Sequence, residues 1–595
     1  MHGFVEELKR RNVVRVAAAY AVLSWLLVQI IVSVEEPLSL PDWTDTLVIV
    51  LLAVGFVLAV FLAWAYELTP DGIKRTKSVP LSLHASGRRI DFLIIGALVL
   101  ALGFVVVDQY VFEDDEAPKL VTDAPLEPSD RPSIVVLPFA NVSADEAQEY
   151  FADGLTDDLI TDLNKISGLF VIGRTSSFSF KGAPVRVEAV ADSLGVRYIV
   201  AGSVRRDGNA VRVTAELVDG MTGGQIWSNQ YDRELTGLFA VQDELVAQIV
   251  SSLAVELTRT EELQLVHEPP TQFRAYDLYL QAREAFFGGG DVGLRRSLEL
   301  FEDSWEADPD FARAYAGYAR ASVDIWRQSS PRVQSNAVAR ANAERAALSA
   351  LNRDATIADA HSVLALLQLG DLDHEAAIES ARRAVELDPN GVDARTALAI
   401  VLIYSGEPLE ALMEMETALR LDPRANPYVL SYYGLTLFLN GRYQDAIAAL
   451  EPVADAQDQN MIVGDSIRVV LASSYAMLGE LDVARAQVDV LLRQLPYLSL
   501  EHYRVFYALH SRMEDVEPRI EALRRAGIPQ WPFGYEGDPE QQLRGEELDA
   551  VIYGRSWTGR DTAMETNQFF VFISDDGQMV FRSDRQSVIA EVFAR

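Results

Sequence analysis

The sequence predicts a multidomain chain made of a three-helix transmembrane bundle, an α/β domain, an all-α superhelix of repeated hairpins and a small antiparallel β module. Three observations predict it. Three long apolar runs crowd into residues 1–112, strand and helix patterns alternate over 132–257, and small residues recur at intervals near 34 through 274–527. An acidic, proline-containing linker, 113–131, follows the apolar part, and the β module occupies 548–595.

The apolar runs, Val13 to Val34, Thr46 to Tyr66 and Phe92 to Val107, suit a bilayer core of about 30 Å. A buried helix of a soluble protein would show a polar stripe, but Thr46 to Tyr66 has none and no charge falls between Asp45 and Glu67. The third run is the shortest, and Tyr110, Val111 and Phe112 extend it into the interface. Lys9, Arg10, Arg11 and Arg15 precede or open the first run, and Lys74, Arg75, Lys77, Arg88 and Arg89 stand between the second and third. The other flanks are acidic: Glu35, Glu36, Asp42 and Asp45 in one, Asp108 and Glu113 to Glu116 in the other. Basic loops stay cytoplasmic, so the expected location is the inner membrane, with the amino terminus cytoplasmic and residues after about 112 periplasmic.

Residues 1–107 hold nine basic and nine acidic side chains, so the net charge of -35 belongs to the part after them. Such a surface repels nucleic acid. With no cysteine, the chain relies on packed cores rather than disulfides, and thiol catalysis and cysteine-based metal sites are excluded.

After the linker, Ser133 to Phe139 reads as a buried strand and Tyr150 to Ile166 as an amphipathic helix with Leu155, Leu159, Ile160 and Leu163 inward. Leu169 to Gly173 reads as a short strand and Val187 to Leu194 as a helix. Then YIVAGSVRR, AVRVTAELVD and QIWSNQYDRE alternate as strands around turns at Asp207 to Asn209 and Gly223–Gly224, and Phe239 to Leu257 closes the domain as a helix.

The blocks RPSIVVLPFANVS, EYFADGLTDDLITDL, YIVAGSVRR, GGQIWSNQYDRE and FAVQDELVAQIV, in that order, resemble the TolB-like amino-terminal domain of bacterial membrane proteins. The resemblance covers Arg131 to about Leu257. It implies a small α/β domain similar to that of the periplasmic protein TolB and to the flagellar protein FlgO. Members of the family carry a cyclase catalytic domain, a winged helix or a membrane bundle ahead of this domain. The opening EELKRRNVVRVAAAYAVLSWLLVQ and AWAYELTPDGIKR look like the three-span bundle version of a family often labelled adenylate cyclase-like. Only 12 residues precede the first span, too few for a cyclase domain.

Ala343, Ala377 and Ala411 are spaced by 34, Ala446 and Ala484 follow at 35 and 38, and Pro389 and Pro423 are again 34 apart. Two antiparallel helices need about this length, with small residues where neighbouring hairpins cross. This is the tetratricopeptide pattern. It runs for about six repeats, with an insertion near Ser329 to Ser335 and a degenerate helix pair from Leu500 to Ala526 as a cap. By the repeat's phase the concave face carries Asp359, Ser362, Asp393, Thr396, Tyr428 and Ser431, the candidate partner-binding residues. The Lys and Asn clamp with which some tetratricopeptide proteins hold a carboxylate is missing.

At the carboxyl end, Ile552 to Arg560, Gln568 to Ser574 and Gln578 to Arg582 alternate as strands, with a turn at Asp575 to Gly577. Catalytic chemistry is thin. The seven histidines show no paired metal spacing, and no phosphate loop or nucleophile elbow occurs. Asp153, Asp157, Asp158 and Asp162 form an acidic cluster that reads as charges favoured near a helix amino terminus. The expectation is a protein without enzymatic activity, cofactor or metal. It would act as a periplasmic scaffold holding proteins or peptides in the repeat groove, tethered to the lipid bilayer by three spans. A sensory component detecting an envelope ligand is the alternative, and a homo-oligomer stays open.

Overall fold

The computed structural model describes residues 131–530 with short gaps at 144, 183–185, 266–271, 328–332, 455–466, 496–497, 507–509 and 513–515. Outside that stretch it describes Ser24 and Leu52, both helical, two strands before residue 76 and four strands after residue 554. The chain divides into two compact units, 1–117 and 118–595. The three apolar runs otherwise lie outside the described residues, as does the linker up to residue 130. No helix among the described residues is long and apolar enough to cross a membrane.

In the first unit, β1 (Tyr66–Thr69) and β2 (Gly72–Arg75) pair antiparallel. Tyr66, expected as the last residue of the second span, therefore belongs to a strand.

The α/β domain begins with β3 (Ser133–Val136), which ends before Pro138, and β4 (Ala140–Asn141). Helix α1 (Glu149–Asn164), β5 (Phe170–Val171), α2 (Arg174–Phe178) and α3 (Val187–Leu194) follow. The long strands β6 (Tyr198–Asp207), β7 (Ala210–Asp219) and β8 (Gly224–Glu234) form a meander. The sheet order is β5-β3-β6-β7-β8, parallel between β5, β3 and β6 and antiparallel beyond, with β4 paired to β6. Helices α4 (Leu238–Ser252) and α5 (Arg259–Gln264) complete the domain. The sequence pattern carried α4 to Leu257, but the chain leaves the helix at Ser252 and Ala254 takes a positive φ of 52°. One face of the sheet packs on α1 and α4 through Val200, Val213, Leu217, Leu159 and Leu245. Ile199 and Val135 pack on the other side with α3 through Val190 and Leu194.

Six helical hairpins follow. They are α6 (Phe273–Phe287) with α7 (Gly290–Ala307), α8 (Ala312–Arg327) with α9 (Asn336–Leu351), and α10 (Ala358–Gly370) with α11 (His374–Leu387). Then come α12 (Val392–Ser405) with α13 (Pro408–Leu421), α14 (Pro427–Leu439) with α15 (Tyr443–Leu450), and α16 (Ile467–Leu478) with α17 (Leu481–Gln494). Ala343, Ala377, Ala411, Ala446 and Ala484 are all fully buried, as close helix crossings require. A side chain on Gly434 would collide with the Leu450 side chain, so the α14 backbone lies directly against that leucine of α15.

Helices α18 (Leu500–Phe506) and α19 (Glu517–Ala526) close the array, α19 packing on α16 and α17. Between them the chain turns back along the end of α12. There Ser511 N–H donates to Tyr404 O at 2.8 Å, Arg512 donates to Gly406 O at 2.8 Å and the His510 ring lies 4.7 Å from that of Tyr404. Separately, β9 (Arg555–Arg560), β10 (Gln568–Ile573), β11 (Met579–Ser583) and β12 (Gln586–Ala590) form an antiparallel sheet in the order β12-β11-β10-β9. The last of these strands was not marked by the sequence pattern.

Candidate functional site: an arginine-lined face and its seated domain

Helix α1 meets the first hairpins through its carboxylates. Leu155, Asp158, Leu159 and Asp162 recur at helical spacing, so the two aspartates share the buried stripe with the leucines. Asp157, Asp158 and Asp162 are only 4 %, 1 % and 2 % exposed. Burial of three carboxylates demands partners. Asp158 accepts from Tyr276 Oη at 2.7 Å and Gln242 Nε2 at 3.1 Å, and ion-pairs with Arg283 and Arg313 at 3.4 Å each. Asp157 pairs with Arg283 and, at 3.4 Å, with Arg174. Asp162 accepts from Lys165 at 2.9 Å and faces Arg313 at 3.9 Å. Burial pulls the Arg283 and Arg313 pKa values down, but the facing aspartates more than reverse that and both end above the ordinary range. Burial and then Asp158 push the Tyr276 phenol well up, so it remains a donor.

Asp157, Asp158 and Asp162 therefore lie two turns or more inside α1, which begins at Glu149, while Asp153, one turn in, pairs with Lys181 at 2.6 Å. The expectation that helix-terminal charge accounts for those three gives way to ion pairing across the two folds. Contact there is close enough that a side chain on Gly154 would overlap Leu280, 2.6 Å away.

Two repeat turns extend the seat. Asn390 Nδ2 donates to Asn164 O at 3.2 Å and Ile166 O at 2.9 Å. Asp422 Oδ1 accepts from Ser176 N–H at 2.7 Å and from the Ser176 hydroxyl, while Gly173 N–H donates to Leu421 O at 2.7 Å. Arg424 donates to Ser179 Oγ at 2.6 Å and lies 4.4 Å from the Phe180 ring centroid. Arg174 in turn lies 3.6 Å from the centroid of Phe287. Burial raises the Asp422 pKa against the Ser176 hydrogen bonds. Asp388, beside Asn390, is pushed up to about 7 by burial and then by the charge of Asp359, with Lys165 opposing.

The six candidate partner-binding residues divide. Ser362, Thr396 and Ser431 are buried, and the hydroxyls of Thr396 and Ser431 donate to Val392 O and Tyr428 O of their own helices at 2.7 Å. Side chains short enough to bond their own backbone can sit inside the packing of adjacent helices. Asp359 and Asp393 are exposed and Tyr428 is half-buried. Asp393 accepts from Arg320 at 2.8 Å, and Arg320 also pairs with Asp324 at 3.5 Å. Burial pushes Asp393 up, but Arg320 outweighs it and holds the carboxyl below its usual range. Tyr428 stands edge-on to Tyr432, which accepts from Arg327. Among the described residues no group of three or more His, Cys, Asp or Glu side chains could hold a metal ion.

The sequence reading missed Arg283, Arg313, Tyr276, Gln242, Asn390 and the Ser176–Asp422 pair. One signal was present: two aspartates at leucine spacing in an apolar stripe require cationic or donor partners from elsewhere.

This is a helical-hairpin repeat protein with an α/β domain seated on its first hairpins. No protein-family profile matches the chain. It is 41 % identical over 220 residues to putative adenylate cyclase 3 of Rhizobium meliloti (strain 1021), covering 36 % of this chain and 38 % of that one. It is 39 % identical over 92 residues to the type IV pilus assembly protein PilF of Pseudomonas aeruginosa, covering 16 % and 36 %. The chain thus spans under two-fifths of the curated relatives it matches. Fold neighbours of known structure include a tetratricopeptide protein of Thermus thermophilus, with 16 % identity and a TM-score of 0.27, covering 34 % of this chain and 98 % of that one.

Proposed function

We propose that the protein is a membrane-anchored periplasmic scaffold that offers other proteins a composite surface, formed by a TolB-like α/β domain and the inner face of a tetratricopeptide superhelix. The observation that carries this is the accessible set Asp359, Asp393 and Tyr428 beside Arg320. Mixed charge and an aromatic edge suit a polar peptide or helix. The α/β domain is held from the first hairpin to the turn before the fifth, so an external partner at Asp359, Asp393 and Tyr428 would meet the domain and the repeats together.

The periplasmic placement rests on the alternating charge of the loops around the apolar runs. We read no catalytic role in the buried aspartates, because each is committed to arginine, tyrosine or glutamine partners. The adenylate cyclase name belongs to the relative. Crosslinking in intact cells tests the scaffold. Changing Asp393→Ala with Tyr428→Ala should remove specific periplasmic proteins from the captured set, while Arg382→Ala on the outer surface should not. A reporter fused after residue 120 that is active only in the cytosol would overturn the placement. Cyclic nucleotide made by the purified full chain would overturn the non-enzymatic reading.

A further inference from the structure

The two edges of the α/β sheet are treated differently. At one edge β5 is two residues long, and the next backbone donor, Gly173 N–H, is taken by Leu421 O of the repeats. At the other edge β8 runs for eleven residues, nine of them exposed, and hydrogen-bonds to β7 along one side. Long open edges are ordinarily blunted by proline, by a bulge against the free side or by central charges. β8 has one irregularity, Ile226 being passed over between the Leu217–Trp227 and Val218–Gln225 pairs, and the stretch Trp227 to Tyr231 keeps an unbroken register with no proline and no charge, the charged residues Asp232, Arg233 and Glu234 being gathered at the strand's end.

That pattern is self-complementary when the strand meets itself head to tail. Pairing the strand antiparallel about Asn229 sets Ser228 against Gln230 of the second copy and Trp227 against Tyr231, a five-residue ladder that stops short of the irregularity at Ile226. Opposed residues then share a sheet face, as an isologous two-fold requires. Trp227 and Tyr231 already pack on the core side, so their cross-strand pairs would continue the apolar layer under the sheet. No like charges oppose one another, although the chain as a whole carries -35. A register centred on Asp232 would set that carboxylate against itself.

We propose that β8 is a homodimer interface, formed by antiparallel pairing with β8 of a second copy about Asn229, so that two sheets become one.

The absence of cysteine gives a clean test in the full-length chain. Directly opposed residues of an antiparallel pair bring their Cα atoms to roughly 4.5–5.5 Å, within disulfide range. Asn229→Cys, oxidised in membranes of expressing cells, should yield a covalent dimer at least about ten times faster than Ile226→Cys, whose two copies would lie roughly 20 Å apart. Adding Ser228→Lys with Gln230→Lys should abolish the Asn229→Cys product, whereas Ser228→Lys with Gln230→Glu should retain it, because the opposed pair becomes an attractive one. Equal crosslinking at both positions, a covalent product with a different protein, or a monomeric mass for the unmodified chain in detergent would each overturn the proposal.

Discussion

The joint between neighbouring repeats and the joint between the repeats and the α/β domain solve the same packing problem with opposite chemistry. Between repeats, alanines such as Ala343, Ala377 and Ala411 are fully buried and let helices approach closely, with ion pairs such as Arg382–Glu410 left to the surface. At the domain seat, one carboxylate of Asp158 gathers a tyrosine, a glutamine and two arginines. An alanine joint tolerates many partners of the right size, whereas a buried ion cluster accepts one arrangement, since each unpaired member is costly. The repeats are thus interchangeable in principle, and the domain's position is not.

The sharpest way to break this contrast is Asp158→Ala, which takes the shared acceptor from Tyr276, Gln242 and Arg313 in a buried site while Arg283 keeps Asp157. A loss of about 3–5 kcal/mol is expected by urea unfolding of the full chain. If the loss were no greater than that of a surface ion pair, the seat would not depend on charge. Next is Ala377→Leu, which overfills an alanine joint and should cost about 1–3 kcal/mol by the same measurement. Removing the Ser176 hydroxyl with Ser176→Ala leaves Asp422 short of one donor, for a loss of about 1–2 kcal/mol.

Proton linkage sharpens the comparison further. The Asp388 carboxyl has an ordinary value of 3.8 and is raised to about 7, so the folded state binds its proton more tightly than the unfolded chain. Its ionisation therefore weakens the fold progressively as pH rises from about 4 to 7. Asp388→Asn should leave stability unchanged near pH 4 and raise it by about 1 kcal/mol near pH 8, a figure kept small because the group is partly exposed. His510 works in the opposite direction. Burial, then Arg519 and His374, lower it to about 3, so the unfolded chain takes up its proton first and stability falls as pH drops below about 6.5. The smallest effect belongs to the exposed Arg382–Glu410 pair, where Arg382→Ala should change stability by no more than about 0.5 kcal/mol.

The repeat joints were legible in the sequence because a single small residue type at a fixed interval is a local, repeating signal. Strands β6, β7 and β8 were legible for the same reason, through alternation around turn residues. The seat was not, because it joins positions more than a hundred residues apart with no common period: Asp158 to Arg283, Ser176 to Asp422, Asn164 to Asn390. Of the residues assigned to the concave face, Asp359 and Asp393 are exposed whereas Ser362, Thr396 and Ser431 are buried. Helical phase places a residue on a side of its own helix, but whether that side meets water depends on neighbours contributed by other repeats.

Stacked hairpins behave as springs, since each touches only the next and small changes in tilt accumulate along the axis. The seated domain grips this spring at Arg283, Arg313, Asn390 and Asp422, points distributed from the first hairpin to the turn before the fifth. Those turns cannot unwind or stretch while the grip lasts. The coils beyond Arg424 are tied instead at their far end, where Ser511 and Arg512 reach back to the end of α12, so a pulling force there would load those two hydrogen bonds.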